Sequence, residues 1–332
     1  MHKVEEGAQG EWAVLTKDTS GINKKGLLKL GRYLQRKDYH FTTVTPLTHA
    51  RNRERHRRAE NLRDIFGWSL PFDKALLSSE EFDLLEEAGV LEPYADNWRS
   101  IVRWSSLNGL LMVHSAYPTD TADAVFFGPD TYRFARLIGN FISRRPDIRR
   151  AVDIGTGSGA GAIVIGRECP QAQVAAVDIN PRALVFSAVN AELADMHNVR
   201  PVRSDLLADT RGGFDLVVAN PPYMIDPLGR SYRHGGDDLG AELSWRIVDE
   251  ALTRLTPGGT LLLYTGVAIV DGVDMFRQRL VARLGGVSCH WHYEEIDPDV
   301  FSEELLTAAY ARVERIAVVG LQLTLPTSAG RP

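Results

Sequence analysis

The chain has little cysteine. Its two residues, Cys169 and Cys289, stand in no Cys-x-x-Cys pair and no Cys/His cluster. That pattern excludes a zinc site, no metal is expected, and both thiols read as buried packing residues. An excess of positive charge is also missing. Lys and Arg total 38 against 43 Asp and Glu, a formal net charge of -5, so no global basic field exists to hold nucleic acid. No apolar run reaches membrane-spanning length, and the first residues show no signal-peptide pattern. A cytoplasmic location without membrane contact is expected. There is no internal repeat. What remains is an ordinary globular composition, 44% hydrophobic and 24% charged, over a length of about two domains.

The most informative stretch is Asn220, Pro221, Pro222 and Tyr223, which follows a strand-like run Phe214–Ala219. These residue types suit chemistry on a planar nitrogen, whose lone pair is delocalised and poorly nucleophilic. Two acceptors aimed at its N–H hydrogens draw it out of conjugation. The Asn220 side-chain oxygen and the Pro221 carbonyl supply two, because Pro222 has no N–H to close a helical turn. Tyr223 is placed to stack on the planar group.

Upstream, an apolar strand runs into Asp153, Gly155, Thr156, Gly157, Ser158 and Gly159, and an apolar helix opening follows. Glycines there let a backbone approach a ligand closely. A second strand, Gln173–Val177, ends in Asp178, about 20 residues beyond the glycine turn, where a carboxylate meets a ribose diol. Gly155, Gly157 and Ala160 also satisfy the dinucleotide pattern formally, so the glycines alone leave NAD open. Beyond Val202 and Arg203, Asp205 is an acceptor for an adenine amino group and Leu206 an apolar face.

Taken together, the Asp153–Gly159 turn, Asp178–Leu184, Asp205 and Asn220–Tyr223 resemble a class I S-adenosylmethionine-dependent methyltransferase. More narrowly they are similar to the group with release-factor glutamine and adenine-N6 methyltransferases. His234–Leu239 and Leu255–Leu263 extend the likeness, which covers roughly residues 125–275. Four motifs in order at strand–helix spacing set the NAD reading aside. The resemblance implies S-adenosylmethionine as cofactor, with Asp153, Gly155, Thr156, Gly157, Gly159, Asp178, Ile179, Asp205, Leu206, Asn220 and Phe127 around it. It implies catalysis at Asn220, Pro221, Pro222 and Tyr223, and substrate contacts from Tyr223, Tyr232, Arg233 and His234. The chain departs from the glutamine enzymes at Asp237–Leu239 and at Phe126–Thr131.

The expected fold is α/β, a doubly wound, mainly parallel seven-stranded Rossmann-like sheet with a smaller N-terminal α+β, winged-helix-like domain. The expected division is 1–120, a recognition or lid domain; 121–326, the methyltransferase domain; and 327–332, a flexible tail. Residues 1–20 are expected to be loosely held. Helices are expected over 24–36, from Ser78–Glu81 onward, from Thr131, and over 247–255 and 275–284. Strands are expected at 41–45, at 101–104 and 110–113 around a Ser-Ser-Leu-Asn-Gly turn, at 260–264, and at 290–294 with 315–325 as an antiparallel pair. The arginine-rich run 50–60 reads either as a phosphate contact or as a solvated, salt-bridged helix or linker. Residues 228–240 read as a loop over the substrate pocket. The methyl acceptor stays open between a protein glutamine, a nucleobase and a small metabolite, and a non-catalytic cofactor-binding regulator is the reading outside enzymes.

Overall fold

An asparagine cap starts the fold. In this computed structural model, which describes residues 21–226, 229–230 and 232–327, the Asn23 side chain accepts from the Lys25 amide at 3.0 Å and opens α1, Lys24–Arg36. Residues 1–20, Leu228 and the tail 328–332 lie outside the described residues. Pro46 sits at the first turn of α2, Pro46–Arg55, where its missing N–H costs nothing. A short α3, Leu62–Phe66, follows. Ser78 and Glu81 form the expected capping box on α4, Ser79–Ala88. Two hairpins complete this part: β1, Leu91–Tyr94, with β2, Asn97–Ser100; and β3, Val102–Leu107, with β4, Leu110–Ser115.

Two local expectations need correction here. Ser105, Ser106 and Leu107 belong to β3, and the turn is Asn108–Gly109 alone, both at positive φ (50° and 82°), as a two-residue hairpin turn requires. Phe41–Thr45 is extended but pairs with no strand. One long-range backbone bond, Ser106 N–H to the Phe41 carbonyl at 2.8 Å, and two side chains hold it: Phe41 N–H donates to Ser106 Oγ at 3.3 Å and Thr43 N–H to Tyr132 Oη at 3.0 Å.

The second part begins with α5, Pro129–Ile142, and then alternates: β5, Arg150–Ile154; α6, Ala160–Glu168; β6, Gln173–Asp178; α7, Pro181–Leu193; β7, Val199–Arg203; β8, Phe214–Ala219; α8, Glu242–Arg254; β9, Leu255–Val270. It ends with β10, Val273–Asp274; α9, Met275–Leu284; β11, His290–Asp297; and β12, Arg315–Thr324. Strand order is β11-β12-β9-β8-β5-β6-β7, with β10 on β9. β7, β6, β5, β8 and β9 are parallel, while β12 and β11 return antiparallel as expected. The chain steps from β5 outward to β6 and β7, then crosses back to put β8 on the other side of β5. Such a reversal opens a crevice at the carboxyl ends of the strands.

Period-two alternation covers the sheet on both faces. Leu216 and Val218 of β8 pack under α5 and α6, whereas Val217 and Ala219 pack against α8 and α9. The first part is seated on α7. Ala183, Phe186 and Val189 share one apolar cluster with Leu27, Phe82 and Trp104, and a fully buried side chain of this size contributes about 1.5–3 kcal/mol. Cys169 is buried as expected, but Cys289 is only partly so.

Asn190 fastens that seat. It accepts from the Val113 amide at 2.7 Å and donates to the carbonyls of Val113 and Ser158 at 3.0 and 2.8 Å. Asn190→Ala leaves these buried groups unpartnered, so a loss of about 2–4 kcal/mol is expected in urea unfolding. A midpoint equal to that of the parent would remove Asn190 as a staple.

Candidate active site

Three parallel strands deliver their last residues to one cavity. β5 brings Asp153 and Ile154, β6 brings Asp178, and β8 hands over to Asn220. Gly155 and Gly157 turn the chain away from β5 at φ 66° and 54°, a region that penalises side chains. A Cβ on Gly155 would meet nothing within 4 Å, so the wall there is backbone beside open space.

Asp153 is 1% exposed. Its Oδ2 accepts from Thr156 Oγ1 at 2.6 Å and from the Ala162 amide at 2.9 Å, and Oδ1 has no partner among the described residues. Burial outweighs those two donors and pushes the carboxyl up to about 7. Asp178 is raised for the same reason, although it accepts from the Gly157 amide at Oδ2 and the Asn180 amide at Oδ1, both 2.9 Å. These bonds decide between the ligands that the glycines left open. A pyrophosphate needs free N–H groups at the turn and the helix start. Here the Gly157 and Ala162 amides already serve carboxylates, whose charge repels phosphate. The same carboxylates suit a cation and a diol.

Asn220 and Pro221 also line the cavity. Neither the Asn220 side chain nor the Pro221 carbonyl takes a hydrogen bond from any described residue. Their backbone is held from behind. A Cβ on Gly235 would come within 2.0 Å of the Gly240 carbonyl and 2.7 Å of that of Pro222, so this glycine loop closes tightly on the strand end. Tyr223 is a fixed wall. Its hydroxyl donates to Asp130 Oδ2 at 2.5 Å, and a Cβ on Gly266 would meet its ring at 2.2 Å. Burial drives the Tyr223 hydroxyl well above its ordinary pKa. Asp130 is a hub: Oδ1 accepts from Tyr264 Oη at 2.8 Å and Arg133 Nη1 at 3.1 Å, and Arg133 continues to Asp297 at 2.6 Å.

Gly155, Thr156, Gly157, Ile179, Asp205, Leu206, Pro222, Tyr232 and Arg233 line the cavity too. Three expected site residues do not. Phe127 points into the core and stacks on His114 at 4.8 Å, and its neighbour Phe126 takes the cavity position instead. Gly159 packs on α7, where a Cβ would lie 3.0 Å from that of Ser187. His234 is exposed outside the cavity, and its Nδ1 accepts from the Asp226 amide at 3.3 Å. The residues not foreseen are Phe126, Asp130, Tyr264 and Phe301. A polar residue at the start of a helix, as Asp130 is, reads as a cap, and nothing local links it to tyrosines 93 and 134 positions away.

Residues 134–268 match the methyltransferase small domain family. The chain is 39% identical over 131 residues to the release factor glutamine methyltransferase of Deinococcus radiodurans, which covers 36% of this chain and 46% of that protein. Against the protein of the same name from Lactococcus lactis it is 30% identical over 174 residues, 49% of this chain and 63% of the relative. It is 32% identical over 130 residues to the ribosomal protein uL3 glutamine methyltransferase of Neisseria meningitidis, 36% and 43% of the two chains. The chain thus spans about half the length of the curated relatives it matches. A solved structure of M. jannaschii TYW2 in complex with AdoMet is 15% identical over 68% of this chain and 85% of that one, with a TM-score of 0.46.

The contact between Tyr223 and Asp130 is testable without a substrate. Tyr223→Phe removes a donor from a buried carboxylate and is expected to cost about 1–3 kcal/mol. Asp130→Asn should cost a similar amount. In a double-mutant cycle by urea unfolding the pair is expected to couple by at least about 0.5 kcal/mol, and strict additivity would show that the hydroxyl does not depend on Asp130.

Proposed function

We propose that the chain is an S-adenosylmethionine-dependent N-methyltransferase whose acceptor is a planar amide nitrogen, a glutamine side chain of a protein. One observation carries this reading: Asn220 and Pro221 present two oxygen acceptors, unengaged among the described residues, to a largely apolar cavity whose lining also holds four carboxylates. The names of the matched relatives support glutamine over the other acceptors. The lining Asp130, Asp153, Asp178 and Asp205 also disfavour a phosphate-bearing substrate deep in the cavity.

The residues present fit the cofactor. Asp153 offers its free Oδ1 to the methionine ammonium, and Asp178 keeps lone pairs for the ribose hydroxyls. Asp205 accepts from the adenine amine, with Leu206 and the half-exposed Ile179 against the ring faces. When bound, S-adenosylmethionine supplies an electrophilic methyl carbon, so the protein's own task is positioning. Asn220 Oδ1 and the Pro221 carbonyl accept the two amide hydrogens and turn the nitrogen lone pair toward that carbon. Tyr223 and Phe301, whose ring centroids are 6.0 Å apart, exclude water beside it. The nitrogen would gain the methyl group as the methyl–sulfur bond breaks to leave a neutral thioether, and would lose one proton to water beside these acceptors, so no strong base is required. Holding the partners in line contributes up to roughly 7–11 kcal/mol of barrier lowering.

Labelled methyl transfer to whole-cell protein, RNA, DNA and small-molecule fractions tests the class, and label in glutamine of protein is the expected outcome. Asn220→Ala should lower kcat about a hundredfold or more with cofactor affinity nearly intact. Asp178→Ala should weaken cofactor binding about tenfold or more. An Asn220 variant at parental rate would defeat the proposed mechanism.

Asp153 makes binding pH-dependent. Its folded carboxyl loses its proton near 7 and an unfolded aspartate near 4, so this group's contribution to stability falls as pH rises between those values. A bound ammonium favours the charged form, so cofactor binding at pH 7 should release about half a proton. Calorimetry in buffers of different ionisation enthalpy should show that release, and Asp153→Asn should abolish it. No proton release in the parent would refute the assignment of the ammonium to Asp153.

A further inference from the structure

We propose that the arginine-rich face formed by α2 and the loop after it is a docking surface for the phosphodiester backbone of a nucleic acid, set beside the cavity mouth. Arg51, Arg55, Arg57 and Arg58 are exposed, and no ion pair among the described residues neutralises them, nor Arg53. The run forms the solvated helix and loop of the second reading, but without the ion pairs that reading included. The cations are all arginine, whose planar fork matches phosphate oxygens bidentately. On α2, Arg51 and Arg55 stand one turn apart on one face. Arg53 is fixed over the Tyr117 ring at 5.7 Å.

Behind His49 of α2 lies a further, buried cation. Arg103 is 4% exposed, has no carboxylate partner among the described residues, and keeps Nε and Nη2 buried without a hydrogen-bond partner. It is close enough to His49 for its charge to help burial hold that ring's pKa down at about 3. His49 in turn packs on Tyr117 at 4.2 Å and leaves its own Nδ1 unpartnered. A buried cation with no carboxylate beside it is costly; the Phe41 ring under the Arg103 guanidinium, at 5.4 Å, offsets part of that cost, and an anion on this face offsets more of it. The face also connects to the site. Two residues past Tyr117, the Thr119 carbonyl accepts from Tyr232 Oη at 2.5 Å, and Tyr232 lines the cavity. A chain with net charge -5 thus carries a local cationic rim next to its acidic cavity.

Anisotropy of labelled single-stranded RNA and duplex DNA, with the full chain and no cofactor, reads this directly. Binding of at least one probe is expected, weakening about tenfold or more between about 50 and 200 mM salt. Arg51→Glu with Arg55→Glu should weaken it at least about tenfold and lower the salt slope by about 2. Arg57→Glu with Arg58→Glu is a separate pair with the same expectation, so either pair tests the surface if the other fails to fold. Arg277→Glu on α9, across the sheet, should bind as the parent does. The proposal is overturned if neither probe binds, if a folded reversal pair binds like the parent, or if polyglutamate of equal charge displaces the probe as well as nucleic acid does, which would mark an acidic protein partner. Since no methyl transfer is measured, failure here leaves the proposed activity untouched.

Discussion

Carboxylates at the ends of parallel strands are what the cavity is built on. Asp153 and Asp178 flank the glycine turn, the first taking the Ala162 amide at the start of α6 and the second the Gly157 amide of the turn. The turn is thereby shaped by the side chains that flank it rather than by a ligand. The arrangement sets two carboxylates in a site where burial raises both pKa values. That unfavourable ionisation is a reserve of binding energy. A cation that enters relieves it, which an anion cannot do, so the polarity of the acceptable ligand follows from the frame.

A different constraint places the acceptor side. No described residue hydrogen-bonds the Asn220 side chain, and its position is inherited from its neighbours. β8 fixes it from one end. From the other, Tyr223 is tied through Asp130 to Tyr264 on β9, and through Arg133 to Asp297 at the end of β11. The loop beyond is pinned separately. Asp226, held down at about 2 by its hydrogen bonds with Arg230, gathers Arg230 and Arg233, and Arg233 continues to Glu304. The oxygens at Asn220 and Pro221 therefore face the cavity while the polar side chains of Tyr223, Asp130 and Asp226 are bound to one another or to their neighbours.

Much of this was legible in the residue order. Local periodicity and capping located α1, α4, β8, α9 and the closing antiparallel pair, because each is encoded within a few residues. The glycine turn and its carboxylates followed from spacing. What could not be read was which of two adjacent aromatics would face the cavity. Phe126 and Phe127 have the same chemistry, and His114, a residue of a distant hairpin, decides the matter by stacking on Phe127. Asp130 escaped for a similar reason, since its partners arrive from far along the chain. Phe41–Thr45 has a strand-like composition, but only its Phe41 carbonyl meets a distant backbone amide, that of Ser106, while the Phe41 and Thr43 amides are met by hydroxyls. His234 was weighed by residue type, and loop geometry carried it to the outside.

The seat on α7 has a wider consequence. Helix α7 runs between the glycine turn, which it touches at Ser158 through Asn190, and the hydrophobic core of the N-terminal part, which it completes with Phe186 and Val189. Neither portion owns that helix. Exchange of the leading module during evolution would need a replacement able to bury the same two side chains. Sequence change in such an architecture is therefore channelled toward the outer surface of a retained N-terminal part, with wholesale swapping disfavoured.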